Sequence, residues 1–151
     1  VDPENWHITL AFLGDQPEAA LEDLHEGLAG IAAAPFEVAL KGVDIFGGAT
    51  PRALAALVVP AQPLVALRRA VRGVVHQTGI ELPRARFRPH VTLARFGRRM
   101  TVLETQRIAG VLEAYADLDA GRLGVERFTL YRSHLGEGGA RYEALADYPL
   151  R

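Results

Sequence analysis

Cysteine is absent from all 151 residues. That excludes disulfides, thiolate metal sites and a cysteine nucleophile within this sequence. Lysine is nearly absent: of 17 basic residues only Lys41 is lysine, and 16 are arginine. A coding bias toward arginine explains such a ratio, and so does a demand for planar forks on phosphate, which arginine binds bidentately. Net charge is close to absent as well, at −1, so no overall field points to a partner. There is no apolar run long enough to span a membrane and no basic-then-apolar leader. A cytoplasmic protein with no membrane partner is the expectation. Apolar residues make up 49% and charged residues 23% of the chain. That is the balance of a globular protein long enough for one domain, or for two small lobes sharing a core.

What is present is a repeated pair of polar residues. Trp6-His7-Ile8-Thr9-Leu10-Ala11-Phe12-Leu13-Gly14 recurs, altered, as Pro89-His90-Val91-Thr92-Leu93-Ala94-Arg95-Phe96-Gly97. Setting His7 on His90 aligns His, Thr, Leu, Ala and Gly over eight positions. Both copies read as strands, with a polar residue at every second place. Strand side chains alternate between faces. His7 and Thr9 therefore share one face and Ile8 and Leu10 the other; His90 and Thr92 likewise oppose Val91 and Leu93. The copies lie 83 residues apart, too far for a solenoid repeat, and suggest two related halves facing each other.

The rest of the chain supplies the frame. Asp15-Gln16-Pro17 starts a helix, and Leu21, Leu24, Leu28 and Ile31 form its apolar stripe until Pro35 stops it. Residues 36–46 and 53–59 read as a hairpin through Gly47-Gly48-Ala49-Thr50-Pro51. Pro63 opens a second helix, with Leu64, Leu67, Val71, Val74 and Val75 inward and Gly79 at its end. The second His strand covers about 85–96. Thr101-Val102-Leu103-Glu104 is a capping box for a third helix with Ile108, Val111, Leu112 and Tyr115 on its apolar face. Two strands, 125–133 and 142–146, close the chain through Gly136-Glu137-Gly138-Gly139.

A lone histidine on a strand is usually structural. Two copies in matching contexts are harder to dismiss, because packing does not require the same polar pair twice. Brought together, the pairs would offer two imidazoles and two hydroxyls. One neutral imidazole can serve as general base while the other, protonated, serves as general acid. The hydroxyls of Thr9 and Thr92 can donate to non-bridging oxygens. That set suits in-line displacement at a phosphodiester without metal or other cofactor. A metal site is the competing reading, but two histidines are an incomplete ligand set and no His-Glu-x-x-His or carboxylate cluster lies beside either motif. A Ser or Thr triad lacks a second acid–base partner.

On these residues the chain resembles the 2H phosphoesterase superfamily, defined by two His-x-Thr/Ser motifs. Within it the chain is most similar to the RNA 2′,3′-cyclic phosphodiesterases, also called 2′-5′ RNA ligases. WHITLAFLGD, FRPHVTLAR and LYRSHLGEGGARYEALADYPL carry the resemblance, which covers essentially the whole chain. It implies a bilobal α+β fold: two antiparallel sheets flanking a central cleft, helices outside, and a pseudo-twofold duplication. It implies that His7 protonates the leaving 3′ oxygen of a 2′,3′-cyclic phosphate, that His90 activates water, and that Thr9 and Thr92 hold the phosphate. A 2′-phosphate results; in reverse, the site would form 2′-5′ bonds. The partners implied are RNA ends or nucleotides, met by a monomer. Family members begin with a strand and helix ahead of the first motif. This sequence starts without a methionine, directly before that motif, so residues 1–151 are expected to be one bilobal domain lacking those elements, a piece of a longer protein.

Six arginines and no acid lie between Arg84 and Arg99, at 84, 86, 88, 95, 98 and 99. They read either as a solvated basic edge or as a surface that tracks phosphates. Arg88 shares the parity of His90 and Thr92. Arg95 has the opposite parity unless the strand bulges, yet the resemblance makes it a phosphate neighbour. Trp6, Phe12, Phe46 and Phe96 are expected in the core; Phe46, before a Gly-rich turn, is the first candidate to stack on a base. His25 and His76 are expected on helix surfaces and His134 in a structural role. Two alternatives stay open: a module that binds RNA ends without turnover, and a phosphodiesterase for another cyclic phosphate, such as ADP-ribose 1″,2″-cyclic phosphate.

Overall fold

Proline and glycine punctuate the chain close to where its elements begin and end. The computed structural model describes residues 1–97, 99–137 and 139–151. Arg98, of the arginine segment, and Gly138, of the closing turn, lie outside the described residues. A 3-10 turn (Pro3–Asn5) is followed by α1 (Glu18–Ala29), β1 (Phe36–Phe46), β2 (Ala53–Val58), α2 (Gln62–Gln77), β3 (His90–Arg95), α3 (Val102–Tyr115), β4 (Asp119–Val125), β5 (Arg127–Gly136) and β6 (Gly139–Pro149). The fold is α+β with antiparallel pairing. One sheet runs β3-β2-β1-β4, and β5 and β6 form a separate two-stranded sheet. Among the described residues no helix is long and apolar enough to cross a membrane.

The chain divides into two units: Val1–Ile8, Val38–Pro60 and Arg88–Leu123, and Thr9–Glu37, Ala61–Phe87 and Gly124–Arg151. The second holds the larger apolar core, built from Leu24, Leu28, Leu67, Val71, Val75, Ile80, Phe128, Tyr148 and Leu150. Leu24 is fully buried and Leu28 4% exposed, and burying each contributes about 1.5–3 kcal/mol. α1 and α2 approach closely because Gly27 has no side chain: a Cβ there would lie 2.5 Å from Val74 Cγ1. Phe128 stacks on Tyr148 at 4.8 Å, and burial pushes the Tyr148 hydroxyl's pKa up. That hydroxyl lies 2.8 Å from His25 Nδ1. His25 is thus tied to the core's edge although its residue is exposed, as His76 is; His134 pairs with Glu143 at 2.7 Å across the β5–β6 hairpin.

Several expected boundaries move. α1 ends at Ala29 with Gly30 as C-cap, ahead of Pro35, since glycine closes a helix before a distant proline must. β3 starts at His90 rather than 85, because Pro89 cannot donate to a ladder; instead its carbonyl accepts from Val58 at 3.1 Å. Ahead of it, Arg72 donates to the Pro83 carbonyl at 2.9 Å and Arg68 to the Ala85 carbonyl at 3.1 Å. The first motif is not a regular strand. It makes one antiparallel bridge, Ile8 to Val91, and then Leu10, Ala11 and Leu13 pack on the second unit's core. One segment serving two units cannot follow β3 beyond that pair. Phe12 is 80% and Trp6 50% exposed, against the expectation of core positions; Phe46 and Phe96 are half-buried. α3 carries the expected capping box at Thr101 and Glu104. β4 has no counterpart in the sequence reading: its residues, Asp-Ala-Gly-Arg-Leu-Gly-Val, form no alternating apolar face.

β1 bends at a bulge. Leu40 pairs with Val58 and Val43 with Ala56, so β1 spends an extra residue over that interval. Gly42 sits there with φ +76° and donates to the Leu118 carbonyl at 2.7 Å. A Cβ on it would meet the Ala116 carbonyl oxygen at 2.5 Å, whereas one on Gly48, φ +72°, would meet nothing within 4 Å. Left-handed backbone costs a non-glycine residue about 1–3 kcal/mol. Gly48→Ala should show only that cost in urea unfolding, and Gly42→Ala a clearly larger one. Equal losses would mean that the contact with Ala116 plays no part.

Candidate active site

The geometry of the site follows from strand register. Directly opposed residues in an antiparallel pair present their side chains on the same face. His90 opposes Leu57 and Thr92 opposes Ala55, and Asp44 and Phe46 oppose Ala55 and Ala53. Asp44, Phe46, Ala53, Ala55, Leu57, His90 and Thr92 therefore line one face of the sheet. Ala53 is 7% and Ala55 0% exposed, and their small side chains let groups from β1 reach those of β3.

Arg95 joins this face through a bulge. Ala55 opposes Thr92 but Ala53 opposes Arg95, so β3 takes three steps where β2 takes two. The extra step reverses parity and turns Arg95, an exposed residue, to the side of His90 and Thr92.

His7 arrives from the first motif. Because Ile8 bridges Val91 antiparallel, His7 lies opposite Thr92 on the same face. The two motif imidazoles thus belong to one unit. Thr9 directly follows Ile8 in the chain, is exposed, and is the first residue of the other unit.

The two imidazoles are held alike. His7 Nδ1 lies 2.7 Å from the Asn5 carbonyl oxygen, and His90 Nδ1 lies 2.8 Å from the Arg88 carbonyl oxygen. Each partner is two residues upstream of its histidine. A carbonyl can only accept, so Nδ1 carries the proton in both rings. Nε2 is then the atom that exchanges a proton: acceptor in the neutral ring, donor in the charged one. Such a pair can take a proton at one end of a reacting group and deliver one at the other.

Around His90 the side chains interlock. Phe46 stacks on the His90 ring with centroids 4.1 Å apart and planes 25° from parallel. The Arg88 guanidinium lies over the Phe46 ring, its carbon 4.6 Å from the centroid, and pairs with the Asp44 carboxylate. The sequence reads Arg88 as part of a phosphate-tracking surface; in the structure its half-exposed guanidinium pairs with Asp44 and covers Phe46. Arg84, Arg86 and Arg99 are exposed. Asp44 is a residue that the sequence reading misses, although its alternation with Phe46 in β1 is a usable signal. Among the described residues no group of three or more His, Cys, Asp or Glu side chains is gathered as a metal site.

Residues 4–137 match the 2′-5′ RNA ligase superfamily. The chain belongs to this superfamily. Relatives aligned over nearly the whole chain agree with it. The RNA 2′,3′-cyclic phosphodiesterase of Geobacillus stearothermophilus is 35% identical over 99% of this chain, which spans 47% of that protein. The RNA 2′,3′-cyclic phosphodiesterase of Bacillus subtilis is 30% identical over 99% of the chain and 79% of its own length. The crystal structure of TT0787 of Thermus thermophilus has the same fold, with a TM-score of 0.79 and 30% identity, covering 100% of this chain and 81% of that one. The resemblance read from the paired His-x-Thr motifs is thus to the superfamily in which the chain stands.

The hydrogen bond from Arg88, followed by that from the Ile45 N–H, holds the Asp44 carboxyl below its ordinary pKa, against a smaller rise from burial. A depressed carboxylate stabilises the fold above its unfolded pKa, and the contribution is lost as pH falls through the folded value. The side chains of Arg88 and Asp44 are 49% and 42% exposed, so solvent screening keeps the pair below about 1 kcal/mol. Asp44→Asn should therefore lose under about 1 kcal/mol in urea unfolding at pH 7, with the gap to wild type closing below about pH 4. A gap that widens in acid would contradict this.

Proposed function

We propose that this chain is a metal-independent phosphodiesterase that opens 2′,3′-cyclic phosphate ends of RNA to 2′-phosphates. The supporting observation is the matched pair of imidazoles, each with Nδ1 tied to a backbone carbonyl and Nε2 as the atom that exchanges protons. The names of the relatives supply the substrate class. His90 Nε2 takes a proton from water as its oxygen attacks phosphorus. The bond from phosphorus to the 3′ oxygen breaks, and His7 Nε2 delivers a proton to that oxygen. The products are a 2′-phosphate and a 3′-hydroxyl. This division of labour follows the superfamily resemblance. Thr9 and Thr92 donate to the non-bridging oxygens, and Arg95 offsets charge as it builds on the phosphoryl group. With a 5′-hydroxyl in place of water, the same steps form a 2′-5′ bond. In this reading residues 1–151 act as one bilobal domain and as a monomer, and the setting is the cytoplasm.

The test is hydrolysis of a nucleoside 2′,3′-cyclic phosphate in EDTA, with 2′- and 3′-phosphate products resolved. The expected product is the 2′-phosphate alone. His7→Ala and His90→Ala should each lower kcat by about 10²–10⁴. A 3′-phosphate would reverse the leaving group. Binding of the cyclic end without turnover by folded protein would favour an RNA-end binding module, and turnover of ADP-ribose 1″,2″-cyclic phosphate alone a different substrate. Because one ring must be neutral and the other charged, kcat/KM should follow a bell-shaped pH profile. A flat profile between pH 5 and 9 would count against the paired mechanism.

A further inference from the structure

We propose that Asp44, Arg88 and Phe46 form a clamp that sets the orientation of the His90 imidazole, with Phe46 acting as a support for that ring rather than as a platform for a base. This deepens the phosphodiesterase reading and rests on it. Two contacts reach the His90 ring, and two more support them from behind. The carbonyl of Arg88 accepts the Nδ1 proton at 2.8 Å and fixes one edge of the ring. Phe46 covers a face of it at 4.1 Å. The guanidinium of the same Arg88 lies over Phe46, 4.6 Å from its centroid, and Asp44 pairs with that guanidinium. An imidazole held at one edge can still swing about that hydrogen bond, and the stacked ring removes the swing. The chain of support runs Asp44, Arg88, Phe46, His90. All four come from β1 and from β3 with its approach, on the face that β2 floors with Ala53, Ala55 and Leu57.

Arg88 supports His90 twice, once through its own carbonyl and once through the ring that its guanidinium covers. The two supports come from opposite ends of one residue, so a shift of Arg88 disturbs both. The charged and titratable groups assigned to this face by register are Asp44 from β1, Arg88 and Arg95 from β3 and its approach, His90 itself, and His7 opposite Thr92. β2 adds none.

Asp44, Arg88 and Phe46 are positioning residues, so the test separates orientation from binding. Hydrolysis of adenosine 2′,3′-cyclic phosphate and the imidazole ¹⁵N spectrum are measured for wild type, Phe46→Leu, Phe46→Tyr, Asp44→Asn, Arg88→Met and His90→Ala. A misplacement of about 1 Å costs on the order of 100-fold in rate. Phe46→Leu should lower kcat about 10- to 100-fold on that scale, with KM within about 2-fold of wild type. Phe46→Tyr should restore most of the rate, since it keeps the ring. Asp44→Asn and Arg88→Met, both at exposed positions, should lower kcat in the same sense by less. In each low-kcat variant of Phe46, Asp44 or Arg88 the His90 nitrogens should move from the Nδ1–H pattern toward a tautomer mixture. A raised KM at unchanged kcat in Phe46→Leu would make Phe46 a base platform and overturn the clamp. Unchanged His90 nitrogen signals in Phe46→Leu and Arg88→Met would overturn it too, whether or not the protein is active. No hydrolysis by wild type would remove the reaction, while the spectra would still decide the clamp; hydrolysis lost in His90→Ala but intact in every clamp variant would remove the clamp alone.

Discussion

One antiparallel residue pair, Ile8 with Val91, carries the arrangement of the candidate site. It is a bridge and not a ladder, so its register is not set by a row of neighbouring hydrogen bonds. A slip of one residue would turn His7 to the opposite face of the sheet. The chain is ordered on either side of it. Upstream, the 3-10 turn is capped by Asp2, whose side chain accepts from the Glu4 N–H at 3.2 Å, and the turn ends at Asn5, whose carbonyl accepts a hydrogen bond from His7 Nδ1 at 2.7 Å. Downstream, Leu10, Ala11 and Leu13 are anchored in an apolar core. The capped turn precedes the bridge residue within the first unit and sets the Asn5 carbonyl against His7 Nδ1.

The sheet supplies the second half of the site by geometry rather than by strength. The Asp44–Arg88 pair is too exposed to add much stability, and a stacked aromatic pair is worth about 0.5–1.5 kcal/mol beyond its burial. Their value is directional. Two bulges, one in β1 near Gly42 and one in β3 between Thr92 and Arg95, shift parity so that residues from three strands share a face. Without the β3 bulge Arg95 would point away from His90 and Thr92. Bulges beside functional residues are a recurrent way to re-aim a side chain, and here the register itself supplies the demonstration.

Much of this is legible in the sequence because alternation and helical stripes are local. The 36–46 strand, the capping box at Thr101 and the buried stripe of α2 follow from spacing alone, and the paired His-x-Thr motifs point to the superfamily. Three things are not legible, each for a physical reason. The first motif reads as a strand, but its partners belong to two units, and local pattern carries no record of where a segment's neighbours lie. β4 is exposed almost throughout, so selection for burial left no period in it. The role of Arg88 depends on Asp44, 44 residues earlier, and only the tertiary pairing of β1, β2 and β3 brings the two together. Arg95 is the intermediate case: its parity problem is visible in the sequence, but the bulge that resolves it is not.

The symmetry of the two imidazoles bears on the direction of the proposed chemistry. With Nδ1 protonated in both, each Nε2 can serve as acid or base, and joining uses the same assignment as hydrolysis, with a 5′-hydroxyl in place of water. The pair itself then has no preference between hydrolysis and joining. The choice falls to the attacking group. Water is present throughout the solvent, whereas a 5′-hydroxyl competes only if a second RNA end is held near the phosphate, where orientation raises its effective concentration steeply. The groups identified on this face of the sheet act on the phosphate and on the imidazoles; none is assigned to a second RNA end. Under the proposed reading, water is therefore the default nucleophile, and bond formation depends on contacts that lie beyond the His-x-Thr pair.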